Sequence, residues 1–228
     1  MGDDQQPGPR GVTVDRVAGG LRDGILNNRY APGQRLIEAE LTRDFGVSRG
    51  PLREAFRRLD AEGLLEIIPH RGALVRKLSF EETLELLQIR HALEPLAACL
   101  AAEGIEMGGN RQRFESAVAP IWSEAPRLDA SYHKENRRFH LSIFEICGNS
   151  QLIELGRQLQ LPLLMLQLSP RNTPEIYRAS VLEHRKIATA ILCGDSEAAE
   201  MAMRQHLDWG LQNLHTMPRS MFRGYIDS

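Results

Sequence analysis

Two sets of side chains in this chain carry chemistry. Arg49, Arg53 and Arg57 recur every four residues through Ser48–Leu59 and form one basic stripe of a helix, beside an apolar stripe of Leu52, Ala55, Phe56 and Leu59. A guanidinium fork can bind guanine O6 and N7, or a phosphate, through two parallel hydrogen bonds. The plain alternative is a surface helix with solvated arginines. The second set is nitrogenous. Asn136 and His140 are four residues apart and share a helix face, while His184 and His206 flank the turn at Gly194-Asp195. They stand about 10 and about 11 residues from that turn, so in an antiparallel pair both lie ~15–17 Å along their helices and face each other. With His140 from a neighbouring helix they make a donor set suited to a divalent ion in a bundle core. Hydrogen-bonded core histidines and a metal-free pocket are the other readings. Arg90, with Glu94 one turn later, reads by spacing as a surface ion pair.

The elements that must position these groups follow from spacing and punctuation. Residues 1–11 read as a disordered leader, and Val12–Asn28 carries apolar residues at helical spacing until Tyr30-Ala31-Pro32-Gly33 breaks it. Glu38–Phe45 is a short helix, Gly46-Val47 turns the chain, and Ser48 is placed to cap the next helix with Pro51 in its first turn. Two short helices around a glycine turn, the second opening on arginines, make a helix-turn-helix whose second helix reads the major groove. Leu64–Ile68 and Ala73–Val75 are β-like runs around Pro69-His70-Arg71-Gly72, a basic-tipped wing able to reach phosphates or the minor groove.

Ser79-Phe80-Glu81-Glu82 is a capping box and opens a second domain. Helical segments follow at about Phe80–Glu103, Arg111–Glu124, Ala130–Cys147, Gln151–Leu168, Glu175–Cys193 and Ser196–His215, an antiparallel bundle with short connections. Met165, Met201 and Met203 read as core. The expected fold is mainly α: a winged helix-turn-helix over residues 12–78, an all-α bundle over 79–217 and a tail over 218–228.

Composition narrows the class. The net charge is −2, yet Gly11–Lys77 carries 12 Lys/Arg and 9 Asp/Glu, leaving +3 there and −5 on the rest. That asymmetry suits a DNA-binding module joined to something else and excludes a uniformly basic nucleic-acid coat. Cys99, Cys147 and Cys193 are odd in number, far apart and without CxxC spacing, which argues for a reducing cytoplasm. No run reaches the length of a membrane span and the N-terminus has no signal-peptide core.

These motifs, in order, resemble one family. Pro32-Gly33-Gln34-Arg35-Leu36-Ile37-Glu38-Ala39-Glu40-Leu41, Phe45-Gly46-Val47-Ser48-Arg49, Pro51-Leu52-Arg53-Glu54-Ala55 and Glu62-Gly63-Leu64 are similar to the winged helix-turn-helix of GntR regulators. The second half resembles the helical FCD ligand-binding domain of their FadR-like branch. The resemblance implies a one-component transcription regulator, read as a repressor, that binds a palindromic operator in double-stranded DNA as a homodimer under control of a small metabolite. By position, Ser48, Arg49 and Arg53 match DNA-contacting residues, and His70 and Gly72 match the wing tip beside Arg71. Arg57 suits a backbone contact, and Gly50 departs from the usual Thr.

In the FCD half, His140, His184 and His206 match the histidines of a divalent-metal site, and Asn136 stands where an Asp is usual. An amide oxygen brings no charge, so the ion, zinc first with nickel or manganese also open, keeps its full +2. An organic-acid effector would complete and neutralise the coordination, with Arg90 matching an arginine that points at a ligand carboxylate. Effector contacts are thereby assigned to Arg90, Asn136, His140, His184 and His206. Two alternatives are a sensor in which the ion itself is the signal and, remotely, a metal-dependent hydrolase. Against the latter, no HExxH occurs, no nucleophile–base pair stands out and Glu183 lies on a different helical face from His184.

Overall fold

The computed structural model describes residues 10–69, 71–122, 130–158, 164, 167–168 and 173–224. They form two compact units, the first ending at Lys77 and the second beginning at Leu78.

The first unit contains α1 (Arg10–Leu26), β1 (Arg35–Leu36), α2 (Glu38–Phe45), α3 (Arg49–Ala61), β2 (Leu65–Ile68) and β3 (Gly72–Val75). Helix α1 already includes Arg10 and Gly11, which the sequence assigned to the leader; residues 1–9 lie outside the described residues. It ends at Leu26 because Asn28 takes a left-handed φ of 59° that a helix cannot continue through. The wing gains a third strand: β3 lies between β1 and β2, antiparallel to both, with Arg35 opposite Leu74 and Ile68 opposite Gly72. Gly72 has φ 90°, and a Cβ there would meet the Leu36 carbonyl oxygen at 2.7 Å, so the strand crossing admits only glycine. Val17, Leu21 and Ile25 of α1 are fully buried, as are Leu52, Ala55 and Leu59 of α3 and Ala73 of β3. His70 lies outside the described residues.

The second unit contains α4 (Phe80–Glu103), α5 (Asn110–Val118) running into a 3₁₀ turn (Ala119–Trp122), α6 (Ala130–Ile146), α7 (Ser150–Gln158), α8 (Pro174–Leu192) and α9 (Ser196–Leu214). The capping box forms: Glu82 N–H donates to Ser79 Oγ at 3.0 Å and Ser79 N–H donates to the Glu82 carboxylate at 2.7 Å. Helices α4 and α9 run side by side, and Phe114, Phe139, Ile143, Ile187 and Met203 lie in the core of the unit. Met201, expected in the core, is 55% exposed. It stands two residues from Met203, ~200° around the helix, so the two cannot share a buried face. Cys193 is likewise exposed, whereas Cys147 is buried; Met165 lies outside the described residues.

The entry to this unit is clamped. Leu78 is fully buried; its N–H donates to Gln167 Oε1 at 2.7 Å, and Gln167 Nε2 donates back to the Leu78 carbonyl at 3.0 Å. The same carbonyl accepts the Arg223 N–H at 2.9 Å.

Candidate DNA-binding face and candidate metal centre

Helices α2 and α3 are joined by Gly46, whose φ of 63° ends α2 in the left-handed conformation and lets Val47 N–H reach the Thr42 carbonyl at 3.0 Å. Ser48 sits at the N-cap of α3 with extended backbone, but its side chain makes no capping hydrogen bond, contrary to expectation. Its hydroxyl is exposed together with Arg49, Arg53 and Arg57, while Leu52, Ala55, Phe56 and Leu59 turn inward. A groove of about 480 Å³ runs between α3 and the wing. Arg49, Arg53 and Arg57 line it from α3; Arg35, Arg71 and Gly72 line it from the sheet side. Arg71 is exposed, and its carbonyl accepts Arg35 Nε at 2.9 Å. Two of the stripe arginines are engaged by carboxylates: Arg57 with Glu54 at 3.0 Å, and Arg53 with Glu38 through both Nε and Nη2. The Glu38 contact was not legible from spacing, because it crosses from the first turn of α2 to α3.

In the helical unit, α6, α8 and α9 bring three imidazoles together. His206 Nε2 lies 3.3 Å from His184 Nε2 and 3.4 Å from His140 Nε2. His140 and His184 are buried and His206 is nearly so. His140 Nδ1 is 2.6 Å from Glu94 Oε2, and His206 Nδ1 is 2.8 Å from Glu183 Oε2. A carboxylate can only accept, so each of these rings carries its proton on Nδ1 and turns a bare Nε2 lone pair inward. Two bare nitrogens 3.4 Å apart repel unless a cation lies between them. Metal–nitrogen bonds of about 2.0–2.1 Å in a tetrahedron give N···N edges of about 3.3–3.4 Å; the two edges at His206 match that length, and the three ligand nitrogens all lie within 4.8 Å of one another. The His184 ring is set by stacking on Phe139, with centroids 4.1 Å apart. Its Nδ1 is buried with no partner among the described residues.

Electrostatics favour the neutral form of His140 and His184. Burial is the main cause that pushes His140 down to about 4, helped by the charges of Arg90 and His206 and opposed by Glu94. Burial, then His206 and His140, holds His184 well below the ordinary histidine value. Glu94 is pulled the other way: burial favours its acid form, but Arg90 and His140 together hold it below the usual carboxylate range.

A cavity of about 360 Å³ opens beside the cluster, lined by Arg90, Asn136, His140, Glu183, His206 and Trp209 among others. Asn136 therefore shares the cavity with the histidines. Arg90 also lines it, yet it is committed: its Nε donates to Glu94 at 2.5 Å, with the two side chains 8% and 1% exposed. The pair forms, and it is buried where a surface pair was the alternative. Sequence reasoning missed Glu94 as a partner of His140; the signal available was a charge on the stripe that also carries Leu87, Ala97, Ala98 and Ala101. It also set Glu183 aside for facing away from His184, whereas Glu183 serves His206.

A winged helix-turn-helix followed by a helical unit with a lined cavity defines the architecture of a two-domain DNA-binding regulator. Residues 13–75 match the bacterial regulatory proteins of the gntR family, and residues 85–208 match the FCD domain. The chain belongs to the GntR family of transcriptional regulators, in its FCD-containing form; it is not an enzyme, which removes the hydrolase alternative. It is similar to a protein of Paenarthrobacter nicotinovorans named as the probable D-xylose utilization operon transcriptional repressor, 32% identical over 86% of this chain and 88% of the relative. It is also similar to the Uxu operon transcriptional regulator of Escherichia coli K12, 31% identical over 82% and 81%. Among solved structures, a GntR regulator from Rhodococcus sp. RHA1 superposes with a TM-score of 0.74 at 22% identity, covering 91% of this chain and 99% of that one. Escherichia coli McbR/YncC gives 0.69 at 21%, covering 90% and 97%. Both show the fold alone. Among the described residues no helix is long and apolar enough to cross a membrane.

Proposed function

We propose that the chain is a cytoplasmic, homodimeric repressor whose helical unit senses a small anionic organic acid at a divalent metal site. His140, His184 and His206 hold the ion, zinc first by donor type, and Asn136 offers an amide oxygen from the same cavity wall. The ion supplies an electrophilic anchor for a carboxylate; the chain's residues supply its position. Glu94 and Glu183 orient two imidazoles, and the apolar wall of Leu87, Leu207 and Met217 excludes water from one side. On the DNA unit, Ser48, Arg49, Arg53 and Arg57 address the major groove, and His70, Arg71 and Gly72 address the backbone at the wing. One relative is named for a D-xylose utilization operon, which supports a small polyhydroxy metabolite as effector. Exposed Ile89 and Leu96, one heptad apart on α4, support self-association.

The convergence of three Nε2 atoms, two of them with the tautomer fixed by a carboxylate, carries the metal assignment. Native mass spectrometry with elemental analysis tests it: one ion per protomer is expected, lost in His184→Ala. A protein that binds no zinc, nickel or manganese at micromolar concentration would overturn it.

One observation favours the ion itself as signal. Arg90 is already neutralised by Glu94, so that guanidinium does not await an effector carboxylate. In that reading operator affinity follows free zinc with no organic acid present. Operator binding that ignores zinc but responds to an added hydroxy acid returns the metal to an anchoring role.

A further inference from the structure

Glu38 is out of place by charge. It lies in a groove walled by Arg35, Arg49, Arg53, Arg57 and Arg71, where a carboxylate works against any polyanion. It is also firmly held. Its side chain is 22% exposed against 58% for Arg53, and it receives Arg53 Nε at 2.9 and 3.2 Å and Nη2 at 3.1 Å. From behind, it sits in the first turn of α2, where the positive end of the helix steadies an anion. An exposed ion pair contributes little to stability. Packing already joins the two helices, with Leu41 buried on α2 and Leu52, Ala55 and Phe56 buried on α3.

We propose that Glu38 is a positioning residue that sets DNA specificity by fixing Arg53; the inference rests on Arg53 facing DNA as stated above. The carboxylate occupies the Nε–Nη2 edge of the guanidinium. The end-on edge, made by Nη1 and the outer Nη2 proton, stays available for a bidentate pair with guanine O6 and N7. A held rotamer loses little freedom on meeting the right base. It also cannot swing to follow phosphates, so the same carboxylate that aids base reading lowers affinity for arbitrary sequence. Glu38 thus acts twice, as a brace for one arginine and as a charge set against indiscriminate binding.

The test uses the full-length protein, an operator fragment obtained by in vitro selection with the wild type, and a random duplex of equal length, read by fluorescence anisotropy at one salt concentration. Glu38→Ala is expected to bind the random duplex several-fold more tightly while its operator-to-random ratio falls about tenfold, the share carried by one bidentate base contact. Glu38→Gln, which can still accept one of the bonds, falls between. Glu62→Ala is the control: it breaks the bidentate Arg22–Glu62 pair, 2.8 and 2.5 Å, outside the groove. It is expected to leave the ratio unchanged. An unaltered ratio in Glu38→Ala, or an equal fall in Glu62→Ala, overturns the proposal and leaves a structural pair only. Arg53→Ala separates the underlying reading: if it keeps full operator affinity, Arg53 does not face DNA and the proposal falls with that placement.

Discussion

Replacing Glu94 by glutamine changes one atom type in a site with no slack. The carboxylate, 1% exposed, accepts from Arg90 Nε at 2.5 Å, Arg90 Nη2 at 3.4 Å and His140 Nδ1 at 2.6 Å. An amide of the same shape has one acceptor and one donor end. If its oxygen faces Arg90, its NH₂ meets the Nδ1 proton of His140. The ring resolves that conflict by moving its proton to Nε2, the atom that should bind metal. If the oxygen faces His140 instead, the NH₂ confronts a buried guanidinium. Outer partners of metal-bound histidines are worth about 10–100-fold in affinity, which is about 1.4–2.7 kcal/mol. The folded state loses more, because an uncompensated buried charge costs about 3–5 kcal/mol. Zinc competition with a chromophoric chelator reads the first quantity, and urea unfolding of the metal-free protein reads the second. Glu183→Gln is the comparison: Glu183 is 37% exposed, so water can replace it at His206, and a loss below about tenfold is expected. Zinc affinity of folded Glu94→Gln within twofold of wild type would refute the tautomer argument.

Three further outcomes follow from the geometry. In metal-stripped protein, the depressed His140 and His184 stay neutral in the native state while their unfolded counterparts take up protons below the ordinary value of 6.5. Their stabilisation is therefore complete above about pH 6.5 and is lost as the pH falls below it, the His140 share down to about pH 4, by up to about 1.4 kcal/mol per pH unit per group; unfolding free energies across that range should flatten in His140→Gln, and an unchanged slope contradicts the assignment. Gly50 is helical and exposed, and a methyl group added at its Cα would meet nothing within 4 Å, so Gly50→Ala should raise stability by up to about 1 kcal/mol without changing zinc affinity. A lowered melting temperature would show that the helix start needs glycine. Gln167→Leu strips the buried Leu78 N–H of its acceptor and should cost about 1–3 kcal/mol in chemical unfolding; no loss would mean the clamp is not a stabilising contact.

What could be read from the sequence was what spacing alone determines. The arginine stripe, the glycine turn and the capping box are local patterns, each set within a few residues, and the chain places them as their periodicity requires. The meeting of His184 and His206 was also legible, since equal distances from a helical turn are a matter of rise per residue. Contacts between elements distant in sequence were not. Nothing in Arg35-Leu36 marks a two-residue strand until Ala73-Leu74 lies beside it. Glu94 reads as the partner of Arg90 by spacing, but its bond to His140 joins α4 to α6 and needs the packed helices. Capping by Ser48 was suggested by residue type, yet backbone geometry without the side-chain bond was enough to start α3.

The clamp at Leu78 makes the covalent link between the winged unit and the helical unit very short. Arg76 N–H is hydrogen-bonded to the Leu64 carbonyl of the winged unit, and Leu78 is held by Gln167, whose neighbour Leu168 is part of the cavity wall. Two residues span about 7 Å at most. Such a connection is short: a single residue, Lys77, separates the two anchored positions.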